Sequence, residues 1–158
     1  MDIDLSTFKK KTPTEAWFVF DAAKGMRVKL TYISPEEVRK RVKECTTIEA
    51  GKEVFDQEKL LKDLATRIAD WEGFSLGRVA ELMDIEIPAD QAENNVPCTE
   101  VNKLTLLKGS WQFKPFIESN TIQLEEFKKA QREAERKNLS PSPNGPSAEG
   151  SAARTAGT

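Results

Sequence analysis

The chain contains no histidine, and that absence decides most of what its reactive residues can do. It removes the commonest general base, the Ser/His and Cys/His nucleophile systems, and most zinc-site recipes. Two cysteines remain, Cys45 and Cys98. Cys98 follows a proline near a helix start, a place that favours a thiolate, yet it has no histidine to serve as base. Cys45 falls on an apolar helix face, where a thiol behaves as a small hydrophobe. There is no CxxC pair, and a cytoplasm keeps such thiols reduced. Among the carboxylates Glu72, beside Trp71, is the one to watch, because an aromatic neighbour can raise a carboxyl pKa, though a surface helix end is its expected setting. The others fit helix faces, caps and loops. Gly73-Phe74-Ser75-Leu76-Gly77 lacks the following Lys-Ser/Thr of a phosphate loop and reads as a turn. Lys9-Lys10-Lys11 and Arg39–Lys43 are short basic runs in a chain of net charge -2, so they read as solvated faces and not as a nucleic-acid footprint. These residues point to no catalytic group, no cofactor and no metal.

What remains is a chain built to pack and to bind. Its 158 residues suffice for one domain with a modest core. A charged fraction of 32% against 38% hydrophobic residues leaves part of the chain outside any core. No apolar run has transmembrane length, and the polar start MDIDLSTFKKKTPTEA lacks the greasy stretch of a secretory leader. The expected setting is a cytoplasm, with no membrane and no nucleic acid as partner.

Residues 1–15 form a polar lead-in. Trp17–Phe20 and Met26–Ile33 flank a turn-rich gap, and Val28, Leu30 and Tyr32 alternate with Arg27, Lys29 and Thr31. This period of two predicts a β-hairpin that must pack on something else. Ser34-Pro35-Glu36-Glu37 opens a helix, with serine as cap, proline at the first position and Glu37 completing a capping box. That helix places Val38, Val42 and Cys45 on one face and ends near Thr46-Thr47. Asp56 caps a second helix. The stripe Leu60, Leu61, Leu64, Ala65 and Ile68 carries it to about Asp70, and Trp71-Glu72-Gly73 closes it. Val79, Ala80, Leu82 and Met83 suggest a short helix before Pro88, followed by a polar loop over 90–95. Thr99 caps a further helix bearing Val101, Leu104, Leu106 and Leu107, which Gly109 stops.

Trp111, Phe113, Phe116 and Ile117 then form a short apolar segment interrupted by Lys114 and Pro115. Aromatics at this density, if partly exposed, make a candidate partner-binding patch. Thr121–Asn138 reads as a charged helix with the seam Leu124, Phe127, Ala130 and Ala134. It offers Glu125/Lys129 and Glu133/Lys137 as i,i+4 pairs. From 139 to 158 Ser, Pro, Gly, Ala and Thr dominate, a composition that predicts a disordered tail. The expected fold is α+β and mainly helical. An N-terminal β-hairpin packs on a small helical domain over 16–138, and a disordered C-terminal tail follows.

One ordered series of residues resembles a known family. Ile68-Ala69-Asp70-Trp71-Glu72-Gly73 is followed by Val96-Pro97-Cys98-Thr99-Glu100-Val101-Asn102, then by Leu106-Leu107, then by Phe113 and Phe116-Ile117. The series is similar to that of the tail assembly chaperones of long-tailed bacteriophages and prophages, and the likeness spans roughly residues 15–138. The motif residues it implicates are Asp70, Trp71, Glu72, Gly73, Pro97, Thr99, Glu100, Asn102, Leu106 and Leu107. Two departures stand out. Residues 74–95 occupy the place of a short polar turn, and Cys98 replaces the usual aromatic.

The resemblance implies a non-enzymatic factor that binds and solubilises the tape measure protein during tail assembly and helps recruit the tail tube protein. It implies homo-oligomeric coating of the partner in the cytoplasm of the bacterial host, absence from the mature virion, and in many cases a frameshifted longer product. The alternatives are a phage structural component, such as a minor tail or head-tail joining protein, and a small regulatory protein-binding adaptor.

Overall fold

A computed structural model describes residues 2–9 and 14–139. Of the predicted tail over 139–158, Leu139 is instead the last residue of a helix and the rest lies outside the described residues, as do two lysines of the Lys9–Lys11 run. The elements run in the order β1 (Glu15–Asp21), β2 (Met26–Thr31), α1 (Pro35–Glu44), β3 (Thr46–Glu49), β4 (Lys52–Phe55), α2 (Gln57–Thr66), β5 (Ile68–Glu72), α3 (Leu76–Met83), α4 (Glu100–Gly109), α5 (Phe113–Asn120) and α6 (Leu124–Leu139). The fold is α+β and mainly helical, as expected, with the β1–β2 hairpin packed on the helices. A short capped turn at Leu5–Thr7 leaves Ile3, Leu5 and Phe8 exposed.

The capping serine, aspartate and threonine act as their types dictate. Ser34 Oγ accepts from Glu37 N at 3.1 Å, Asp56 Oδ1 from Lys59 N at 3.1 Å, and Thr99 Oγ1 from Asn102 N at 3.3 Å. Each satisfies an N-terminal amide that the helix itself leaves unpaired. Glu37 turns its carboxylate forward to Arg41 at 3.3 Å, so the expected capping box keeps only its serine half. In α6, Glu125 pairs with Lys128 at 3.8 Å, in place of the predicted Lys129.

The main correction concerns residues 67–72. The second helix stops at Thr66, and Ile68–Glu72 forms strand β5. It completes a three-stranded antiparallel sheet in the order β1-β2-β5. The backbone N–H of Thr31 donates to Arg67 O at 2.8 Å and so captures the chain as α2 ends. Leu30 pairs with Ile68 while Lys29 pairs with Asp70, which leaves Ala69 as a bulge. The bulge lets Ile68 and Trp71, three residues apart, both turn into the core. A second hairpin was also not foreseen. β3 pairs with β4 through a turn at Ala50 and Gly51, whose φ angles of 50° and 76° are those of a two-residue turn with left-handed twist at both positions.

The core lies between one face of the β1-β2-β5 sheet and the helices. Met26, Val28 and Leu30 of β2 meet Leu64 and Ala65 of α2, Leu106 and Leu107 of α4, Phe113 and Ile117 of α5, and Phe127 of α6. Phe127 closes the Tyr32 end of the sheet against Phe18 and Tyr32, with ring centroids 5.2 and 5.4 Å away. Such ring pairs add about 0.5–1.5 kcal/mol beyond the area they bury. The opposite sheet face is open. There Arg27 lies over Trp17, 4.4 Å from its centroid, and pairs with Glu72 at 2.6 Å, directly across the strands.

Candidate partner-binding surface

The motif residues fold into one unit. Trp71 stacks on Phe74 with centroids 5.0 Å apart, and its indole Nε1 donates to Val96 O at 2.7 Å. Tryptophan suits this position because its ring fills the core while its single N–H reaches a partner. That bond ties the Asp70–Gly73 strand end to the segment that starts α4. The intervening residues 74–95 make an excursion whose two ends meet. Val96 N donates to Phe74 O at 2.8 Å, Leu76 N to Asn94 O at 2.7 Å, and Ser75 bridges to Asn95. An excursion closed at its base leaves the elements on either side adjacent, as a short turn would.

The other motif residues secure the same unit. Gly73 has φ 77°, and a Cβ there would run into the backbone of Gly25 in the β1–β2 turn, so this position requires glycine on both counts. Asp70 Oδ1 accepts from Trp71 N at 2.8 Å, and Asn102 Nδ2 donates to Pro97 O at 2.9 Å. Glu100 sits in the first turn of α4, where a carboxylate favours the helix dipole. Leu106 and Leu107 are buried. These residues therefore act by holding β5, α3 and α4 together.

The predicted aromatic patch divides into two halves. Within the apolar segment 111–117, Phe113 opens α5, where Pro115 is tolerated because it falls in the first turn. Phe113 and Ile117, one helical turn apart, are fully buried and offer no surface to a partner, which corrects their assignment to the patch. Phe116 is half-buried, and Trp111 is 81% exposed. Trp111 and Phe116 line a groove of about 380 Å³ with Phe20 of β1 and Leu82 of α3. Lys24 and Glu81 pair with each other on its rim. Phe20 reaches it because the β1 bulge leaves that residue without a cross-strand partner, and its ring meets Phe116 edge-on at 5.0 Å. Sequence reasoning missed Phe20 and Leu82, which come from distant elements. The only local signal was an aromatic next to a turn. Chemically, the groove sets Phe20, Leu82, Trp111 and Phe116 beside Asp21, Lys24, Glu81 and Gln112, a mixed apolar and polar lining suited to an amphipathic segment.

The residues weighed for chemistry take other positions. Burial pushes the Cys98 thiol up to about 11, against a lesser opposing pull from Lys103. It therefore stays protonated near neutrality, and the nearby helix start does not win. Burial likewise raises the Cys45 thiol. Glu72 is half-exposed and paired with Arg27. Among the described residues no cluster of histidine, cysteine, aspartate and glutamate is placed to hold a metal ion, and no helix is long and apolar enough to cross a membrane. No protein-family model, no curated protein and no solved structure matches this chain.

Proposed function

We propose that this chain is a non-enzymatic tail assembly chaperone of a long-tailed phage or prophage, and that it binds and solubilises the tape measure protein during assembly. The observation that carries the reading is the bond from Trp71 Nε1 to Val96 O, which joins the two parts of the family-like motif across residues 74–95. The insertion had separated those parts in sequence, and their junction in space supports treating them as one motif. The Trp111 groove supplies a site of the right chemistry for a long, helix-rich partner. An exposed tryptophan beside other aromatic side chains is a typical anchor for one face of an amphipathic helix. Weak contacts repeated along one partner by many copies give avidity without high single-site affinity. In this reading the chain acts in the host cytoplasm as a homo-oligomeric coat, helps recruit the tail tube protein, and leaves before the virion is complete.

Co-expression with the protein encoded immediately downstream tests the proposal. A long helical protein, insoluble alone, should become soluble and carry many copies of this chain in pull-down and light scattering. A neighbour that is soluble alone and does not bind would sink the reading.

One observation favours a structural component retained in the particle as the second reading. The β3–β4 hairpin exposes Ile48, Val54 and Phe55 and pairs with no third strand among the described residues, as a strand surface awaiting a permanent neighbour would. Stoichiometric presence in purified virions would favour that reading over the chaperone.

A further inference from the structure

Acidic residues are unevenly spread along this chain. The whole sequence sets 24 basic residues against 26 acidic ones. Yet between Arg78 and Lys103 it carries Glu81, Asp84, Glu86, Asp90, Glu93 and Glu100 and no lysine or arginine. That stretch runs from the last turn of α3 through the rest of the 74–95 excursion to the start of α4, and it borders the Trp111 groove. Glu81 and Leu82 line the groove, as does Asp21 at the end of β1. Asp84 caps the C-terminal end of α3, two residues beyond Leu82. The unpaired carbonyls of a helix end carry partial negative charge and add to the same field. The excursion then stays close to α3. Gly77 N donates to Ala92 O at 2.9 Å, and Leu76 N donates to Asn94 O at 2.7 Å. Asp90 and Glu93 are thereby held beside a helix only 8 residues long, which is about 12 Å from end to end.

Little offsets this charge. Among the described residues Lys24 is the only cation lining the groove, and Glu81 holds it. Arg78 donates to Gly73 O at 2.8 Å, and Lys114 pairs with Glu118 at 3.1 Å. Asp84, Glu86, Asp90 and Glu93 are exposed and make no ion pair among the described residues. Nor do they gather into a cluster placed to hold a metal ion. They act as a spread negative field along one side of an apolar groove.

We infer that the Trp111 groove takes an amphipathic helix whose polar flank is rich in lysine and arginine. Phe20, Leu82, Trp111 and Phe116 receive its apolar face, and the acidic collar of α3 and the excursion faces its basic flank. Complementary charge steers such a partner in, and the same field repels a helix with an acidic flank. The inference rests on the reading of the groove as a partner site and adds the charge of the partner.

The test uses the full ¹⁵N-labelled chain and two synthetic amphipathic peptides, each about five helical turns long. They share one leucine face. One has lysine over its polar face and the other has glutamate. Binding is read at the indole Nε1–Hε1 resonance of Trp111, assigned by its loss in Trp111→Ala. The lysine peptide should shift it saturably and bind at least about tenfold tighter than the glutamate peptide at low salt, with the preference falling as chloride is added. A variant combining Asp84→Asn, Glu86→Gln, Asp90→Asn and Glu93→Gln keeps the fold, since all four residues are exposed and unpaired. Its preference should shrink at least about threefold. Equal binding of the two peptides, a preference that the variant retains in full, or no saturable shift with either peptide overturns the inference. Capture of the protein encoded immediately downstream separates this result from the tape measure reading. Capture without any lysine preference leaves that reading standing and overturns the inference. A lysine preference without capture upholds the inference and removes that reading.

Discussion

The chain contains two β-hairpins with opposite fates. β1–β2 gains a third strand, β5, and lays Met26, Val28 and Leu30 against four helices. β3–β4 has no third strand among the described residues, and every residue of the two strands but Thr46 is exposed, Ile48 at 76%. Two-stranded ribbons are marginal in water, and a third strand with an apolar face changes that. The comparison separates the part of the molecule that makes the fold from the parts left free to meet something else.

Substitutions at five positions sharpen the contrast. Trp71→Ala should cost the most, about 3–5 kcal/mol, because it empties the core beneath β5 and orphans Val96 O. Urea unfolding reads this directly. A loss under 1 kcal/mol would mean that the motif unit does not hold the fold. Gly73→Ala should cost about 2 kcal/mol or more, since it combines a left-handed φ with a collision against Gly25. The second hairpin should respond in the opposite sense. Ala50→Gly relieves a non-glycine residue at φ 50° and should stabilise by about 1 kcal/mol. Amide exchange of β3 and β4 should slow while that of β1 and β2 stays unchanged.

A smaller effect appears only in alkali. The folded Cys98 thiol lies near 11, above its ordinary 9.0, so the fold prefers the neutral thiol. That preference is fully present below about pH 9 and is lost as pH rises through about 11. Comparison with Cys98→Ser isolates it. Between those limits the unsubstituted chain should lose more stability than the variant, and parallel curves would rule the effect out. Trp111→Ala should change stability least of all, within about 0.5 kcal/mol, because the ring is exposed.

The helix starts were legible because a capping side chain acts locally. Ser34, Asp56 and Thr99 needed no tertiary partner to be recognised. The β1–β2 hairpin was legible through the alternation around Val28 and Leu30. β5 was not, and the Ala69 bulge explains why. It places Ile68 and Trp71 on one face at a spacing of three, the spacing of a helix, so the stripe from Leu60 appeared to continue unbroken. β3 and β4 were missed because four-residue strands that bury neither face carry no hydrophobic period. In the binding surface, Trp111 and Phe116 were legible as aromatics at unusual density. Their division from Phe113 and Ile117 depended on the α5 helix, which the reading of 111–117 as a plain apolar segment did not include.

The central claim is that the motif from Asp70 to Leu107 builds the scaffold while Trp111 meets the proposed partner. Purified Trp111→Ala should be measured for its thermal midpoint and for its capture of the proposed partner, the co-expressed protein encoded immediately downstream, side by side with the unsubstituted chain. The account predicts an unchanged midpoint and capture reduced at least tenfold, as for the loss of a central aromatic anchor. An unchanged midpoint with full capture would contradict it and move the binding surface away from the groove.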